Sequence, residues 1–207
     1  MLTVFTFQEP APQRSHDRVK VVQHGCRTVI ALADGAGGMS GAAEAAEQVV
    51  NSLVKAFAGA QVDATPGSCA EVLAVVDHAV ASNPRAGETT GLLVVIDADS
   101  VVGASVGDCA AWIVPQNDGR REISVHQMRK PRIGTGRANP VGFGPTSLRG
   151  VLIMITDGIA DHITGVQLTA LVRRVEAEQL PRALLDHVRL PSGKLTDHVT
   201  VVVASSD

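Results

Sequence analysis

The chain has 207 residues, of which 45% are hydrophobic and 19% charged, and this composition excludes a disordered chain and predicts a compact protein with a sizeable core. Eighteen basic and 21 acidic residues leave a formal net charge of −3, so no global positive field attracts nucleic acid or anionic membranes. Four Phe, one Trp and no Tyr leave few rings for stacking on single-stranded nucleic acid, and we expect no nucleic-acid partner.

The segment before residue 85 is predicted to contain three strands and two helices. Residues 3–7, 19–22 and 28–33 are short apolar runs separated by polar breaks, which is typical of strands. From residue 42 to 57, apolar residues recur at i, i+3, i+4 and i+7, which predicts a helix with Ser40 as N-cap and Gly59 near its end. A second helix is predicted between the Pro-containing breaks at 66–67 and 83–84.

The middle of the chain returns to short apolar runs. Residues 89–97, 101–106 and 110–114 are joined by tight turns and predict an antiparallel meander, with a further strand at 121–127. Residues 129–150 contain five Gly, three Pro and four Arg, which predicts a long surface loop.

The last quarter is predicted to contain a strand at 151–155, helical segments at 159–163, 166–178 and 181–188, and a closing strand at 199–204. Consecutive strands with very short connections argue against a βαβ alternation. The pattern instead favours an α+β fold in which an antiparallel β-sandwich is flanked by helices, and the length favours a single domain over residues 1–207.

Cellular location is indicated by cysteine spacing and by hydropathy. Cys26, Cys69 and Cys109 are widely spaced, odd in number, and arranged neither as a disulfide framework nor as a CxxC metal site. The N-terminus shows no basic segment followed by an apolar core, and no apolar stretch reaches the roughly 18 residues of a membrane span. We therefore expect a cytoplasmic protein without a membrane partner. No heptad pattern indicates an oligomeric state.

Four aspartates, Asp34, Asp108, Asp157 and Asp197, stand where a predicted strand meets a loop. The end of one antiparallel strand and the start of its neighbour share an edge of the sheet, so the first, third and fourth of these residues are expected to converge. Clustered carboxylates repel one another unless a cation compensates, and oxygen ligands select Mg²⁺, Mn²⁺ or Ca²⁺. The pattern predicts a metal site, although each aspartate taken alone fits a turn or a helix cap better.

Five short motifs resemble those of the metal-dependent protein phosphatases of the PP2C type. They are Asp-Gly-Ala-Gly-Gly at 34–38, Gly-Glu-Thr-Thr at 87–90, Val-Gly-Asp-Cys-Ala at 106–110, Thr-Asp-Gly at 156–158 and Asp-His-Val-Thr followed by an apolar run at 197–203. Their order is that of the family, and the resemblance extends from about residue 14 to 204.

The resemblance implies a four-layer αββα fold that holds two Mg²⁺ or Mn²⁺ ions, with an optional third. Asp34 would bridge the first two ions, Asp157 and Asp197 would complete the first, and the Gly35 carbonyl would serve the second. Asp108 would lie near the third ion, shared with Asp157. Two such ions lower the pKa of a water between them and stabilise in-line displacement at phosphorus, so no covalent phosphoenzyme is needed.

The activity implied is hydrolysis of phosphoserine and phosphothreonine in proteins by a metal-activated water. The implied partners are a phosphorylated protein substrate and a cognate Ser/Thr kinase that the enzyme opposes.

The chain departs from the family at two places. The early acidic segment reads Ser-His-Asp at 15–17, so His16 replaces the usual acidic residue and only Asp17 remains to serve the second metal. A proline stands at the position of the family's phosphate-binding Arg, so Arg14 or Arg18 is the candidate phosphate ligand, with a solvated loop charge as the alternative. His198 replaces the usual Asn and is either a proton carrier or a surface residue.

The segment between Asp108 and Asp157 is shorter than in larger members of the family and predicts a minimal bacterial form without a full flap subdomain. Loop 129–150 would replace the flap. Its basic residues would guide an acidic phosphopeptide or remain solvated: Arg129, Lys130, Arg132 and Arg137.

Two other functions stay open. The altered 15–17 segment also fits a catalytically weak PP2C-like binding module. A hydrolase of small phosphate esters would keep the metals but change the substrate.

Overall fold

The structure is a computed structural model that describes residues 2–9, 16–59, 62–115 and 119–206. The chain divides into two compact units, each with one five-stranded antiparallel sheet. The helical-pair unit comprises residues 16–109 and 124–147, and the terminal unit comprises the described residues of 1–15, 110–123 and 148–207.

The described elements, in chain order, are β1 (Leu2–Glu9), β2 (Arg18–His24), β3 (Arg27–Ala33), α1 (Ala42–Phe57), α2 (Pro66–Ala81), β4 (Gly91–Asp97), β5 (Ser100–Val106), β6 (Ala110–Val114), β7 (Arg121–Glu122), β8 (Val141–Ser147), β9 (Val151–Ile155), α3 (Asp157–Ala160), α4 (Gly165–Arg174), α5 (Leu180–Val188) and β10 (Val199–Ser206).

The sheet of the helical-pair unit has the strand order β2-β3-β4-β5-β8. Its central strands β3 and β4 are almost entirely apolar and are buried on both faces. Helices α1 and α2 contact this sheet through a continuous core that includes Leu53, Phe57 and Leu73. The buried positions of α1 follow the helical spacing that the sequence predicts, and α2 begins at a Thr65–Ser68 capping box with a proline in its first turn.

The sheet of the terminal unit has the strand order β1-β10-β9-β6-β7. Its register pairs Ile155 of β9 with Val201 of β10. Leu168 of α4 and Leu184 of α5 are fully buried in the core that the helices of this unit form with its strands. This pairing of the last strand with β9 places the residues that follow β9 beside those that precede β10.

Helix α1 begins differently from the prediction. Its N-cap is Gly41, in the left-handed conformation with φ of 78°, and no side chain caps the helix, so the assignment of Ser40 as N-cap is wrong. A Cβ on Gly41 would overlap the Arg85 carbonyl oxygen, and the Gly41 carbonyl accepts the Gly87 N–H at 2.9 Å. The chain crossing at this point therefore requires glycine, and a serine cap one residue earlier is excluded.

The strands of the middle region also differ from the prediction. Strand β6 pairs with β7 and β9 rather than with β5, so the predicted three-strand meander is broken after β5. Only Arg121–Glu122 of the predicted strand 121–127 are extended and paired. The predicted loop 129–150 contains β8, which pairs with β5 around a register shift. Residue propensities do not predict β8, because it contains two glycines and a proline, which are rare in strands.

Candidate metal centre

The backbone of Asp34, directly after β3, is held by two buried threonines. Its N–H donates to Thr90 Oγ1 at 2.8 Å, and its carbonyl accepts the Thr90 N–H and the Thr89 hydroxyl, each at 2.8 Å. All three hydrogen bonds lie in a buried or partly buried environment, where leaving such groups unpaired is costly. The Gly-Glu-Thr-Thr motif therefore fixes the position from which the Asp34 side chain projects.

Gly35 lies where a side chain has no room. A Cβ at this position would lie 2.7 Å from the Ala42 carbonyl oxygen and 2.9 Å from His16 Cβ. Gly35 also forms a bridge with Thr89. This crowding explains the glycine after Asp34 and brings the segment of His16 and Asp17 close to it.

Asp108 lies in the same unit as Asp34, and a carboxylate oxygen of one lies within 4.8 Å of a carboxylate oxygen of the other. The Asp108 side chain is 13% exposed, and its Oδ2 accepts a hydrogen bond from Arg132 Nη2 at 3.0 Å. Its Oδ1 is buried and has no hydrogen-bond partner among the residues that the structure describes. A carboxylate oxygen without a hydrogen bond, close to a second carboxylate, fits a hard divalent cation.

Cys109 lies against this group of carboxylates. Burial raises the pKa of its thiol well above the usual value, and the negative charges of Asp34, Asp17 and Asp108 raise it further. Its Sγ lies 3.1 Å from Thr90 Oγ1. The thiol is therefore neutral and acts as a small packed group rather than as a nucleophile or a soft-metal ligand.

In the terminal unit, Asp157 opens α3 directly after β9, and Asp197 precedes β10. Thr156 and Thr200 join the two segments: the Thr156 N–H donates to the Thr200 carbonyl at 3.2 Å, and the Thr200 N–H donates to Thr156 Oγ1 at 3.0 Å. A Cβ on Gly158 would overlap the carbonyl oxygen of His198. The antiparallel pairing thus brings the segments of the two aspartates to one edge of this sheet.

The candidate phosphate ligands predicted from the sequence are Arg14 and Arg18. Arg14 lies outside the described residues. Arg18 Nε pairs with Glu47 at 2.9 Å, and Arg18 Nη1 donates to the Asp17 carbonyl at 2.8 Å. The half-buried His198 donates its backbone N–H to Oδ1 of the exposed Asp197 at 2.7 Å.

The structure gives contacts of two residues that the sequence does not predict. The sequence predicts that Arg132 guides a phosphopeptide or remains solvated, and its guanidinium pairs with Asp108. Asp77 was not considered, although it is buried on α2 and accepts three backbone N–H groups from residues 134–138. A carboxylate four residues after Leu73, on the apolar face of a helix, is the sequence signal that indicates such an anchor.

Comparison with known proteins agrees with this architecture. Residues 11–131, more than half of the chain, match the sequence profile of the family described as Protein phosphatase 2C. A search of curated proteins finds no match. The chain belongs to the protein phosphatase 2C family. The activity of that family, metal-dependent dephosphorylation of phosphoserine and phosphothreonine in proteins, is therefore the activity class of this chain.

Solved structures support the fold over the full length of the chain. A bacterial serine phosphatase matches with a TM-score of 0.82 at 17% identity, covering 100% of this chain and 99% of its own. The serine/threonine phosphatase Stp1 from Staphylococcus aureus matches with 0.81 at 19% identity, covering 100% and 96%. PstP/Ppp from Mycobacterium tuberculosis matches with 0.76 at 18% identity, covering 100% and 99%. The predicted α+β fold class is confirmed. Among the described residues, no helix has the length and apolarity needed to cross a membrane.

Proposed function

We propose that this chain is a Mg²⁺- or Mn²⁺-dependent protein serine/threonine phosphatase that works as one domain over residues 1–207 in the cytoplasm. Its substrate would be a protein phosphorylated by a cognate Ser/Thr kinase. The observation that supports the metal dependence most directly is the close approach of the Asp34 and Asp108 carboxylates, one with a buried oxygen left without a hydrogen bond.

The proposed ligand set follows the family motifs residue by residue. Asp34 would serve two ions, with Asp157 and Asp197 on the first and the Gly35 carbonyl and Asp17 on the second. Asp108 would serve a third. When bound, such ions lower the pKa of a water and stabilise the charge that develops in displacement at phosphorus.

Neighbouring residues of the chain position the proposed metal ligands. Thr89 and Thr90 hold Asp34 through its backbone, so its carboxylate is oriented before any ion binds. Thr156 and Thr200 do the same for the segments that carry Asp157 and Asp197. Because the Arg18 guanidinium is engaged by Glu47 and by the Asp17 carbonyl, we assign the role of phosphate ligand to Arg14.

Turnover of two substrates under two metal conditions tests the proposal. The purified chain is assayed with a phosphothreonine peptide and with p-nitrophenyl phosphate, first with Mn²⁺ and then with EDTA. We expect peptide dephosphorylation with Mn²⁺ and none with EDTA. Absence of turnover on both substrates would indicate a binding module, and turnover of the small ester alone would indicate a hydrolase of non-protein substrates.

A further inference from the structure

Arg132 forms an ion pair with a residue of the metal centre. Its Nη2 lies 3.0 Å from Asp108 Oδ2, with the two side chains only 24% and 13% exposed. The Nε of Arg132 is buried and has no hydrogen-bond partner among the described residues. Among the described residues, Asp108 is therefore the acidic group with which this guanidinium pairs.

The backbone beside Arg132 is anchored on both sides of the pair. Ile133 is fully buried and exchanges two hydrogen bonds with Thr89, each at 3.0 Å. Beyond it, the Asp77 carboxylate accepts the N–H groups of Gly134, Gly136 and Ala138 at 2.8, 3.0 and 2.8 Å. The segment that carries Arg132 is thus tied to the same threonine that holds Asp34.

We propose that Arg132 is an internal cation that competes with a divalent ion at Asp108. This inference rests on the proposed function, since it concerns the ion that Asp108 would bind. The positive charge of Arg132 occupies one carboxylate oxygen and repels a second cation at the other. Because the anchored backbone keeps the guanidinium near Asp108, the ion at this residue binds weakly in the native chain.

The competition is electrostatic, so it depends on the charge of residue 132 rather than on its shape. Charges a few ångström apart in a partly buried site, at an effective dielectric constant of about 20, interact strongly enough to change an affinity by about tenfold or more. Arg132→Gln removes the charge and keeps a polar side chain. Arg132→Lys keeps the charge but loses the planar guanidinium.

Calorimetric titration of the whole chain with Mn²⁺ tests the inference without any measurement of catalysis. We expect Arg132→Gln to strengthen the weakest Mn²⁺-binding step by about tenfold, and Arg132→Lys to leave it near that of the native chain. The matched control is Arg137→Gln in the same loop, whose exposed side chain should leave all binding steps unchanged. The double variant Arg132→Gln with Asp108→Asn should not show this increase in Mn²⁺ affinity.

The outcomes separate this inference from the proposed function. Unchanged or weaker Mn²⁺ binding in Arg132→Gln, while the native chain binds the ion and dephosphorylates a peptide, overturns the competition alone. A native chain that binds no Mn²⁺ overturns the proposed function itself. Thermal unfolding of each variant without metal identifies one that fails to fold, and Arg132→Met then replaces Arg132→Gln in the same titration.

Discussion

Two hydroxyl groups determine where the Asp34 carboxylate is placed. Thr90 Oγ1 accepts the Asp34 N–H, and the Thr89 hydroxyl donates to the Asp34 carbonyl. Neither threonine offers a charge, and both are buried. At the scale of the residue, two neutral hydroxyl groups fix the backbone of Asp34 and so the point from which its carboxylate projects.

Thr90→Val tests this positioning. The substitution leaves the Asp34 N–H without its acceptor, and we expect a loss of about 1–3 kcal/mol in the free energy of unfolding together with weaker Mn²⁺ binding. Denaturant unfolding and calorimetry measure the two effects. Thr90→Ser, which keeps the hydroxyl, is the control and should bind Mn²⁺ like the native chain. Native-like metal binding in Thr90→Val would show that Asp34 needs no such clamp.

The buried thiol of Cys69 makes the free energy of unfolding depend on pH. Burial raises the pKa of Cys69 from about 9 to about 12, so the folded protein keeps a proton that the unfolded chain releases in this interval. The contribution of this thiol to the free energy of unfolding is therefore fully present below pH 9 and is lost as the pH rises toward 12. Cys69→Ala should make this fall shallower in denaturant titrations, whereas Cys26→Ser, at an exposed position, should leave it unchanged. Identical slopes in all three proteins would contradict the assignment.

At the scale of the element, the carboxylate of Asp77 on α2 accepts hydrogen bonds from the backbone of the segment 132–138. Asp77→Asn replaces a carboxylate that accepts three backbone N–H groups, and we expect unfolding to become easier by about 2–4 kcal/mol. Hydrogen exchange of the Gly134, Gly136 and Ala138 amides should accelerate more than that of the α1 amides. Asp99→Asn, at an exposed position, should change neither quantity. Unaltered exchange in the 132–138 segment would show that the anchor is dispensable.

Gly158 of α3 packs closely against the carbonyl of His198, the residue before β10. A Cβ on Gly158 would overlap the His198 carbonyl, so Gly158→Ala must displace the Asp157 segment from the Asp197 segment. We expect a loss of about 1–3 kcal/mol in unfolding free energy and a marked fall in phosphatase turnover. Gly59→Ala, which meets no atom within 4 Å, serves as control. Full turnover in Gly158→Ala would mean that the spacing of these two segments is not critical.

The sequence predicted the elements whose apolar pattern is regular and missed those set by backbone geometry. Helix α1 and strands β3, β4 and β10 follow from periodicity and from continuous apolar runs. Strand β8 does not, because glycine and proline carry its bulged pairing with β5. The Gly41 cap was missed for the same reason, since a left-handed residue in a tight crossing leaves no side-chain signal.

The candidate site was predicted unevenly for a related reason. Aspartates at strand ends can be read from the sequence because strand and turn signals surround them. Arg132 pairs with Asp108 from a segment that Asp77 anchors. Asp77 lies 57 positions before Gly134, the first residue of that segment that it binds. Such long-range contacts follow from the fold and not from local spacing.

At the scale of the whole molecule, each unit presents aspartates at the ends of its own central strands. The helical-pair unit brings Asp34 and Asp108 together, and the terminal unit brings the segments of Asp157 and Asp197 to one sheet edge. Carboxylates that lie close together repel one another, and a divalent cation would compensate their negative charge. Metal binding, rather than a nucleophilic side chain, is therefore the proposed basis of the activity.

Calorimetric titration of the native chain and of Asp34→Asn with Mn²⁺ at neutral pH tests this claim most directly. We predict that the native chain binds at least two ions and that Asp34→Asn, which keeps the size and backbone hydrogen bonds of the residue, loses the tightest of them. Absence of Mn²⁺ binding by the folded native chain, or unchanged binding by Asp34→Asn, would contradict the account.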